Sequence, residues 1–185
     1  MSEGQQRPTL ETARLILRPF TLADAAEVQR LAGDRDVAST TLRIPHPYED
    51  GVAERWIAAH QERFERGELV NFAVTLRDGG RLIGCVSLTL EREHRAAELG
   101  YWMGKAWWGR GYCTEAARAV VQYGFEVLGL NRILGHHFTR NPASGRVLEK
   151  LGMAHEGRHR QAVLKWGRFE DVETYAVLQD DFLPR

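Results

Sequence analysis

The sequence has few cysteines, no excess of charge and no long apolar run, and each of these absences excludes a class of protein. The two cysteines, Cys85 and Cys113, do not form a C-x-x-C pair, so neither a disulfide framework nor a zinc ribbon is expected. Lysine and arginine total 25, and aspartate and glutamate also total 25. Because these charges cancel, we expect neither DNA nor an anionic membrane as a partner.

The chain also lacks the features that direct a protein into or across a membrane. Its first residues are polar, and no apolar run approaches the roughly 20 residues that span a bilayer. Together with the scarcity of cysteine, this predicts a cytoplasmic protein. The length of 185 residues predicts one domain, over residues 9–185, after a flexible tail over residues 1–8.

The hydrophobic pattern predicts a mixed α/β sheet with helices between its later strands. Alternation and turn signals predict strands over 14–19, 72–76, 82–90, 98–103 and 132–139, and a hairpin over 155–178 that turns at Trp166 and Gly167. Helical spacing predicts helices over 22–31, 52–64, 114–128 and 142–151.

The most informative stretch is the glycine loop Gly109-Arg110-Gly111, which follows a predicted strand and opens directly into a helix. Glycines allow a tight turn and bring N–H groups close to a ligand, and the helix N-terminus adds partial positive charge. This arrangement suits a phosphate or diphosphate. It is not a dinucleotide fingerprint, because Thr114 stands where the third glycine belongs. It is not a P-loop either, because Ala106 follows Gly104-Lys105.

Several segments, in their order and spacing, resemble the GNAT superfamily of acetyl-CoA-dependent N-acetyltransferases, in the branch that acetylates the N-termini of ribosomal proteins. The resemblance runs from about residue 11 to residue 178. The segments that carry it are TARLILR (12–18), LIG (82–84), ELGYW (98–102), WGRGYCTEA (108–116), NPAS (141–144), KLGM (150–153) and EG (156–157). One departure is Ala106, which occupies the Gln or Arg position of the superfamily's loop pattern.

The resemblance implies a fold and a cofactor site. The fold would be a mixed central sheet of about seven strands, with a V-shaped splay between the fourth (98–103) and the fifth (132–139). The loop backbone would hold the diphosphate of coenzyme A, and the strand that ends at Met103 would pair with the pantetheine arm. No metal is implied. The implied cofactor-binding residues are Trp102, Met103, Gly109, Arg110, Gly111, Tyr112, Cys113, Thr114, Asn141 and Ser144.

Two catalytic residues follow from the same resemblance. Glu98 matches a glutamate that takes the amine proton, directly or through water, and Ser144 matches a serine that assists the departing thiolate. Each has a plainer alternative: a strand glutamate on a solvated face for Glu98, and an ordinary first-turn serine for Ser144. For Asn141 the alternative is a simple helix N-cap. His136 and His137 share one strand, so at most one of them faces the cleft, and neither is assigned a role.

The acceptor is predicted from the resemblance and from the cost of deprotonating an amine. The resemblance implies direct acetyl transfer to a primary amine, most simply a protein N-terminal α-amine. Deprotonation at pH 7 costs about 1 kcal/mol for an α-amine and about 4.6 kcal/mol for a lysine. The alternatives are a polyamine, an aminoglycoside or another xenobiotic amine, and a non-catalytic acyl-CoA-binding module. The loop 43–48 and the hairpin near Trp166 are expected to shape the acceptor pocket, and a homodimer is left open.

Overall fold

The computed structural model describes residues 6–182, and in this range it contains eight strands and seven α-helices. The strands are β1 (Leu10–Glu11), β2 (Leu15–Arg18), β3 (Leu69–Leu76), β4 (Leu82–Glu91), β5 (Ala96–Met103), β6 (Arg132–Phe138), β7 (Ala154–Lys165) and β8 (Arg168–Leu178). The helices are α1 (Ala25–Ala32), α2 (Arg35–Ser39), α3 (Val52–Ala58), α4 (His60–Glu65), α5 (Tyr112–Glu126), α6 (Pro142–Lys150) and α7 (Gln179–Phe182). None of these helices is long and apolar enough to cross a membrane.

The eight strands form one sheet in the order β1-β2-β3-β4-β5-β6-β8-β7. Neighbouring strands are antiparallel except for β5 and β6, which are parallel. A parallel pair needs a long crossover connection, and α5 provides it. The crossover therefore brings the start of α5 next to the end of β5.

Helices cover both faces of the sheet over separate apolar clusters. On one face α5 packs through residues such as Val121 and Phe125 against the middle strands. On the other face α1 and α3 pack through Val28 and Ile57. The side chains of β5 alternate between these two faces, so that Met103 packs with the α5 cluster and Trp102 packs with the α1 cluster.

The parallel pair separates part of the way along its length. Pairing between β5 and β6 ends at Leu99 and Gly135, although each strand continues for several residues. The outer edge of each strand remains paired, β5 with β4 as far as Met103 and β6 with β8 as far as Phe138. The inner edges therefore diverge, which confirms the predicted V-shaped splay.

The predicted elements are confirmed, with three differences. The sheet has eight strands because the two-residue β1, which is too short to show a period, adds to its edge. The short helices α2 and α7 were not predicted. The predicted helix over 52–64 is divided at Ala59 into α3 and α4. The division has a packing reason, since Ile57 joins the α1 cluster whereas Phe64 joins the α5 cluster.

The predicted N-terminal tail lies partly outside the described residues, which begin at residue 6. In the part described, the Nη2 group of Arg7 donates a hydrogen bond to the carbonyl oxygen of Phe20 at 3.0 Å. The boundary between the tail and the single domain stays a prediction.

Candidate active site

The splay opens into a cleft of about 900 Å³ that reaches both faces of the sheet. The α5 side of the cleft comprises the glycine loop, the first residues of α5 and the first residues of α6. The α1 side comprises Glu98, Trp102 and His136, together with the loop 40–45 and neighbouring residues of α1 and α3. The gap between β5 and β6 therefore joins two differently built half-sites.

The glycine loop on the α5 side has the backbone that glycine allows. Gly109 and Gly111 have φ angles of 72° and 79°, a region that a side chain makes costly. Gly111 is the N-cap of α5, and no side chain caps this helix. The N–H groups of residues 112–114 therefore have no intrahelical acceptor and lie at the positive end of the helix dipole. They suit the diphosphate of an anionic ligand.

The glycine loop is fastened to the sheet on both sides. The indole Nε1 of Trp108 donates to the carbonyl oxygen of Met103 at 2.7 Å. The guanidinium group of Arg14 donates to the carbonyl oxygen of Arg110 at 3.1 Å, and its Nε lies 2.6 Å from Oε2 of Glu115. These contacts hold the loop in place before a ligand arrives, which reduces the entropy lost on binding.

The start of α6 supplies the other polar groups of the α5 side. Oδ1 of Asn141 accepts a hydrogen bond from the N–H of Ser144 at 3.4 Å, so Asn141 is the N-cap of α6. Its amide Nδ2 has no protein acceptor among residues 6–182 and remains available to a ligand. Asn141, Ala143 and Ser144 all line the cleft.

Ser144 has a hydrogen-bond partner, Tyr101, that the sequence did not predict. The hydroxyl of Tyr101 lies 2.8 Å from the Ser144 Oγ and 3.1 Å from its carbonyl oxygen. Burial raises the pKa of the Tyr101 phenol, so the phenol stays protonated and keeps a hydrogen to share. Alternation along β5 puts Tyr101 on the same face as Met103, but no sequence signal connects Tyr101 to a residue 43 positions away.

Cys113 also lines the α5 side. Burial raises the pKa of its thiol to about 12, which opposes the effect of a helix N-terminus. The thiol therefore stays protonated near neutral pH and is a poor nucleophile.

On the α1 side Glu98 is the only carboxylate that lines the cleft among the described residues. His136 and His159 lie near it, and Nδ1 of His136 is 3.0 Å from Oγ1 of Thr174. Partial burial lowers the pKa of His136, the negative charge of Glu98 raises it, and His159 lowers it. The α1 side therefore holds one carboxylate next to an imidazole that is neutral at pH 7.

A clamp joins the two segments that enclose the α1 side. The ammonium Nζ of Lys165 donates to the carbonyl oxygens of Leu42 and Ile44, at 3.2 and 2.9 Å. Burial lowers the pKa of Lys165. The rings of His46 and Trp166 add a contact with centroids 5.7 Å apart. The loop after α2 is thereby tied to the tip of the β7-β8 hairpin.

The geometry has counterparts among known proteins. A family model described as an acetyltransferase (GNAT) domain matches residues 14–154. The chain belongs to the GNAT acetyltransferase family. A solved structure of a GNAT-family acetyltransferase from Bacillus anthracis superimposes with a TM-score of 0.82, at 26% identity over 94% of this chain and 99% of that one.

Three relatives indicate the range of the family. The uncharacterized N-acetyltransferase YoaA of Bacillus subtilis is 35% identical over 93% of this chain and 97% of its own length. The ribosomal protein uS5-alanine N-acetyltransferase of Escherichia coli is 27% identical over 75% of this chain and 72% of its own. The spermidine N(1)-acetyltransferase of Vibrio cholerae is 26% identical over 94% of this chain and 98% of its own.

The GNAT chain is thus an acetyl-CoA-dependent N-acetyltransferase, and its cleft fits that substrate. The uncapped N–H groups of α5 suit the diphosphate, and the unpaired inner edge of β5 suits an extended amide-containing arm. Arg146 and Lys150 of α6 line the same side with no carboxylate partner among residues 6–182. Within that range no group of three or more His, Cys, Asp or Glu side chains could hold a metal ion.

The structure brings together most of the predicted site residues. Those that line the cleft are Glu98, Trp102, Met103, Gly109, Gly111, Cys113, Thr114, Asn141 and Ser144. The side chains of Arg110 and Tyr112 do not line it. Arg110 lies over the ring of Trp107, and Tyr112 lies under Arg14, so only their backbone groups remain available. The binding and catalytic roles of all these residues stay predictions.

Proposed function

We propose that this enzyme acetylates the α-amine of a peptide or protein N-terminus. The observation that carries the proposal is the charge of the α1 side. Within residues 6–182 Glu98 is its one carboxylate, whereas Arg43, Arg63, His136 and His159 also line the cleft. A polyamine carries several positive charges and needs several carboxylates to hold them. An N-terminal α-amine carries one positive charge, and one carboxylate is enough to attract it.

The other walls of the α1 side support an amine on an apolar body. They include Val37, Ile44, Tyr48, Trp56 and Trp102. Such a surface favours a peptide whose first side chain is apolar, since burial of that side chain contributes free energy in proportion to its area. The relative that acts on ribosomal protein uS5 gives the same class of acceptor a precedent.

The reaction uses both sides of the cleft at once. In the proposed ternary complex the α5 side holds acetyl-CoA, and the amine arrives from the α1 side through the splay. Binding both substrates makes the attack of the amine on the thioester effectively unimolecular. Backbone N–H groups near Met103 would stabilise the carbonyl oxygen as it gains negative charge. Ser144, held by Tyr101, would assist the departing thiolate.

A small-molecule amine is the second candidate, and the clamp on the α1 side favours it. Lys165 ties the loop 42–44 to the hairpin, which narrows the approach for a folded protein more than for a small monoamine. The spermidine acetyltransferase relative adds a precedent for a small acceptor. The shortage of carboxylates argues against a polycation within this class.

A turnover screen distinguishes these acceptors. Thiol release from acetyl-CoA is measured with peptides that have a free α-amine, with spermidine, with aminoglycosides and with aromatic monoamines. The matched control is a peptide of the same sequence, which includes an internal lysine, with its N-terminus formylated. Turnover that requires the free α-amine supports the proposal. Turnover with spermidine alone, or equal turnover with the formylated peptide, contradicts it.

A further inference from the structure

The amine that attacks acetyl-CoA must first lose a proton, and the two arms of the splay each present a group that can accept it. Glu98 lies on β5, at the level where this strand pairs with Leu134. His136 lies two residues beyond Leu134 on β6, just past the last paired position. Alternation places both side chains on the α1 face, and both line the cleft. An amine that enters the splay from this side passes between them.

The imidazole of His136 is held in one orientation. Its Nδ1 lies 3.0 Å from Oγ1 of Thr174, and Thr174 is the residue directly opposite on β8. Thr174 is buried and His136 is exposed, so this contact is partly sheltered from solvent. The second ring nitrogen, Nε2, has no partner among residues 6–182. With Nδ1 engaged at β8, Nε2 is the nitrogen left for the cleft.

The charges around this ring come from the neighbouring strands. Glu98 faces it from β5, His159 faces it from β7, and Thr174 on β8 is uncharged. Partial burial together with His159 lowers the pKa of His136 below its ordinary value, and Glu98 acts in the opposite direction. The ring is therefore neutral at pH 7, and it is next to a carboxylate that would stabilise the imidazolium once formed.

We propose that Nε2 of His136 takes the proton from the acceptor amine, while Glu98 stabilises the resulting imidazolium and Thr174 orients the ring. This inference rests on the proposed function. The ammonium of the acceptor transfers one proton to Nε2. The neutral nitrogen then forms the bond to the acetyl carbon and the carbon–sulfur bond breaks. The second proton of the nitrogen passes to the thiolate, on the side of Ser144, and His136 returns its proton to solvent.

The strength of the base favours the imidazole over a carboxylate acting alone. An α-amine has a pKa near 7.8, a free imidazole near 6.5 and a free glutamate near 4.3. Proton transfer from the amine is therefore closer to balanced when an imidazole accepts, which makes it the more effective base near neutral pH. In this arrangement Glu98 is a positioning and charge-stabilising residue rather than the immediate acceptor.

The test is the pH dependence of kcat/KM for four variants, measured with whichever amine the wild-type enzyme acetylates fastest. His136→Gln is expected to lose about 100-fold in kcat/KM, with unchanged coenzyme A affinity and with partial rescue by added imidazole. Glu98→Gln should move the acid limb to lower pH, because the carboxylate raises the pKa of His136. His159→Gln should move it to higher pH. Thr174→Val should lower kcat severalfold and leave KM unchanged.

The titration of the amine itself is the same in every variant, so differences between the profiles report the enzyme's groups. The matched control is His94→Gln, at an exposed histidine outside the cleft, and it should match the wild-type profile. The proposal is overturned if His136→Gln keeps the wild-type rate and acid limb, or if Glu98→Gln alone abolishes the limb. If His136→Gln fails to fold, the acid limbs of Glu98→Gln and His159→Gln test the proposal instead. Shifts in opposite directions support it, and the absence of such shifts overturns it. Turnover with a small amine only would contradict the proposed acceptor. The role of His136 as the proton acceptor would still be tested with that amine.

Discussion

The two sides of the cleft offer different kinds of chemical group to a substrate. The α5 side offers mainly backbone groups: the N–H groups at the start of one helix, next to a loop that two hydrogen bonds fix to the sheet. The α1 side offers side chains from separate strands and loops, with Glu98, His136 and Trp102 at its centre. A backbone site depends on conformation and tolerates many side chains. A side-chain site depends on identity, so in the proposed mechanism the choice of acceptor and the proton transfer would depend on the α1 side.

The largest expected effect is on folding stability, and it comes from a buried histidine, His60, beneath the α1 side. Nδ2 of Asn71 donates to Nε2 of the buried His60 at 3.0 Å, and the Cys85 thiol donates to Oδ1 of Asn71 at 3.1 Å. Burial lowers the pKa of His60 to about 4, against an ordinary value near 6.5. The unfolded chain therefore binds this proton first, and the folded state should lose about 3 kcal/mol of stability as the pH falls from 6.5 to 4.

Urea unfolding at several pH values between 4.5 and 7 measures this loss. His60→Gln should be less stable than the wild type at pH 7, and its stability should depend less steeply on pH in this range. Carboxylates with lowered pKa values, such as Asp24, contribute equally to both proteins and cancel in the comparison. Parallel pH dependence of the two proteins would show that His60 is not the group responsible.

The second prediction tests whether the α5 side works through its backbone. Gly111→Val places a β-branched side chain at a φ of 79°, where strain of about 1 to 3 kcal/mol is expected. Relief of that strain would turn the N–H groups away from the diphosphate. Coenzyme A affinity measured by calorimetry should fall about tenfold or more. Gly79→Val is the matched control, because Gly79 has a φ of 76° in a hairpin turn outside the cleft. Equal affinities in the two variants would contradict the assignment of the diphosphate.

The third prediction concerns the Tyr101–Ser144 pair on the α5 side, which in the proposed mechanism assists the departing thiolate. Tyr101→Phe removes the hydroxyl that contacts Ser144, and the loss of one hydrogen bond costs about 1 kcal/mol. We expect kcat to fall about fivefold with little change in the KM for acetyl-CoA. Ser144→Ala should have a similar effect, and the double variant should cost less than the product of the two because the groups act together.

Changing the acidity of the leaving thiol tests which reaction step the Tyr101–Ser144 pair affects. With a thioester of a more acidic thiol, the departing group needs less assistance, so the defect of Tyr101→Phe should shrink. Tyr123→Phe is the control, since Tyr123 lies on α5 outside the cleft and should show wild-type kinetics. A defect that is independent of the thiol would assign Tyr101 a purely structural role.

The sequence predicted the α5 side much better than the α1 side, for a physical reason. Strand, loop and helix are contiguous from Glu98 to Thr114, so the glycines and their neighbours could be recognised as one unit. Long elements such as β4 and α5 have a clear period and were placed correctly. Short elements such as α2 have too few residues to show one.

The α1 side could not be assembled from the sequence because its contacts join distant residues. Lys165 reaches carbonyl groups more than 120 positions away, and His60 meets Asn71 only after a helix has bent at Ala59. His136 carried no sequence signal that separated it from His137. Only the fold shows that His136 faces Glu98 while His137 packs towards Gly145 of α6.

The smallest effect, on coenzyme A affinity, is expected from the positively charged side chains of the α5 side. Arg146 and Lys150 line the cleft without a carboxylate partner in the described chain, so their charges are available to an anionic substrate. They are exposed to solvent, and exposed charge pairs contribute only about 0.2 to 1 kcal/mol. Lys150→Gln should therefore weaken coenzyme A binding about threefold at low ionic strength, and the difference should vanish in molar salt, where screening acts within about 3 Å. Arg160→Gln removes an exposed charge outside the cleft and should leave the affinity unchanged. A threefold loss of coenzyme A affinity in both variants would mean that net charge acts at long range. A loss in Lys150→Gln that persists in molar salt would mean that Lys150 contributes more than its charge to the backbone-built side of the cleft.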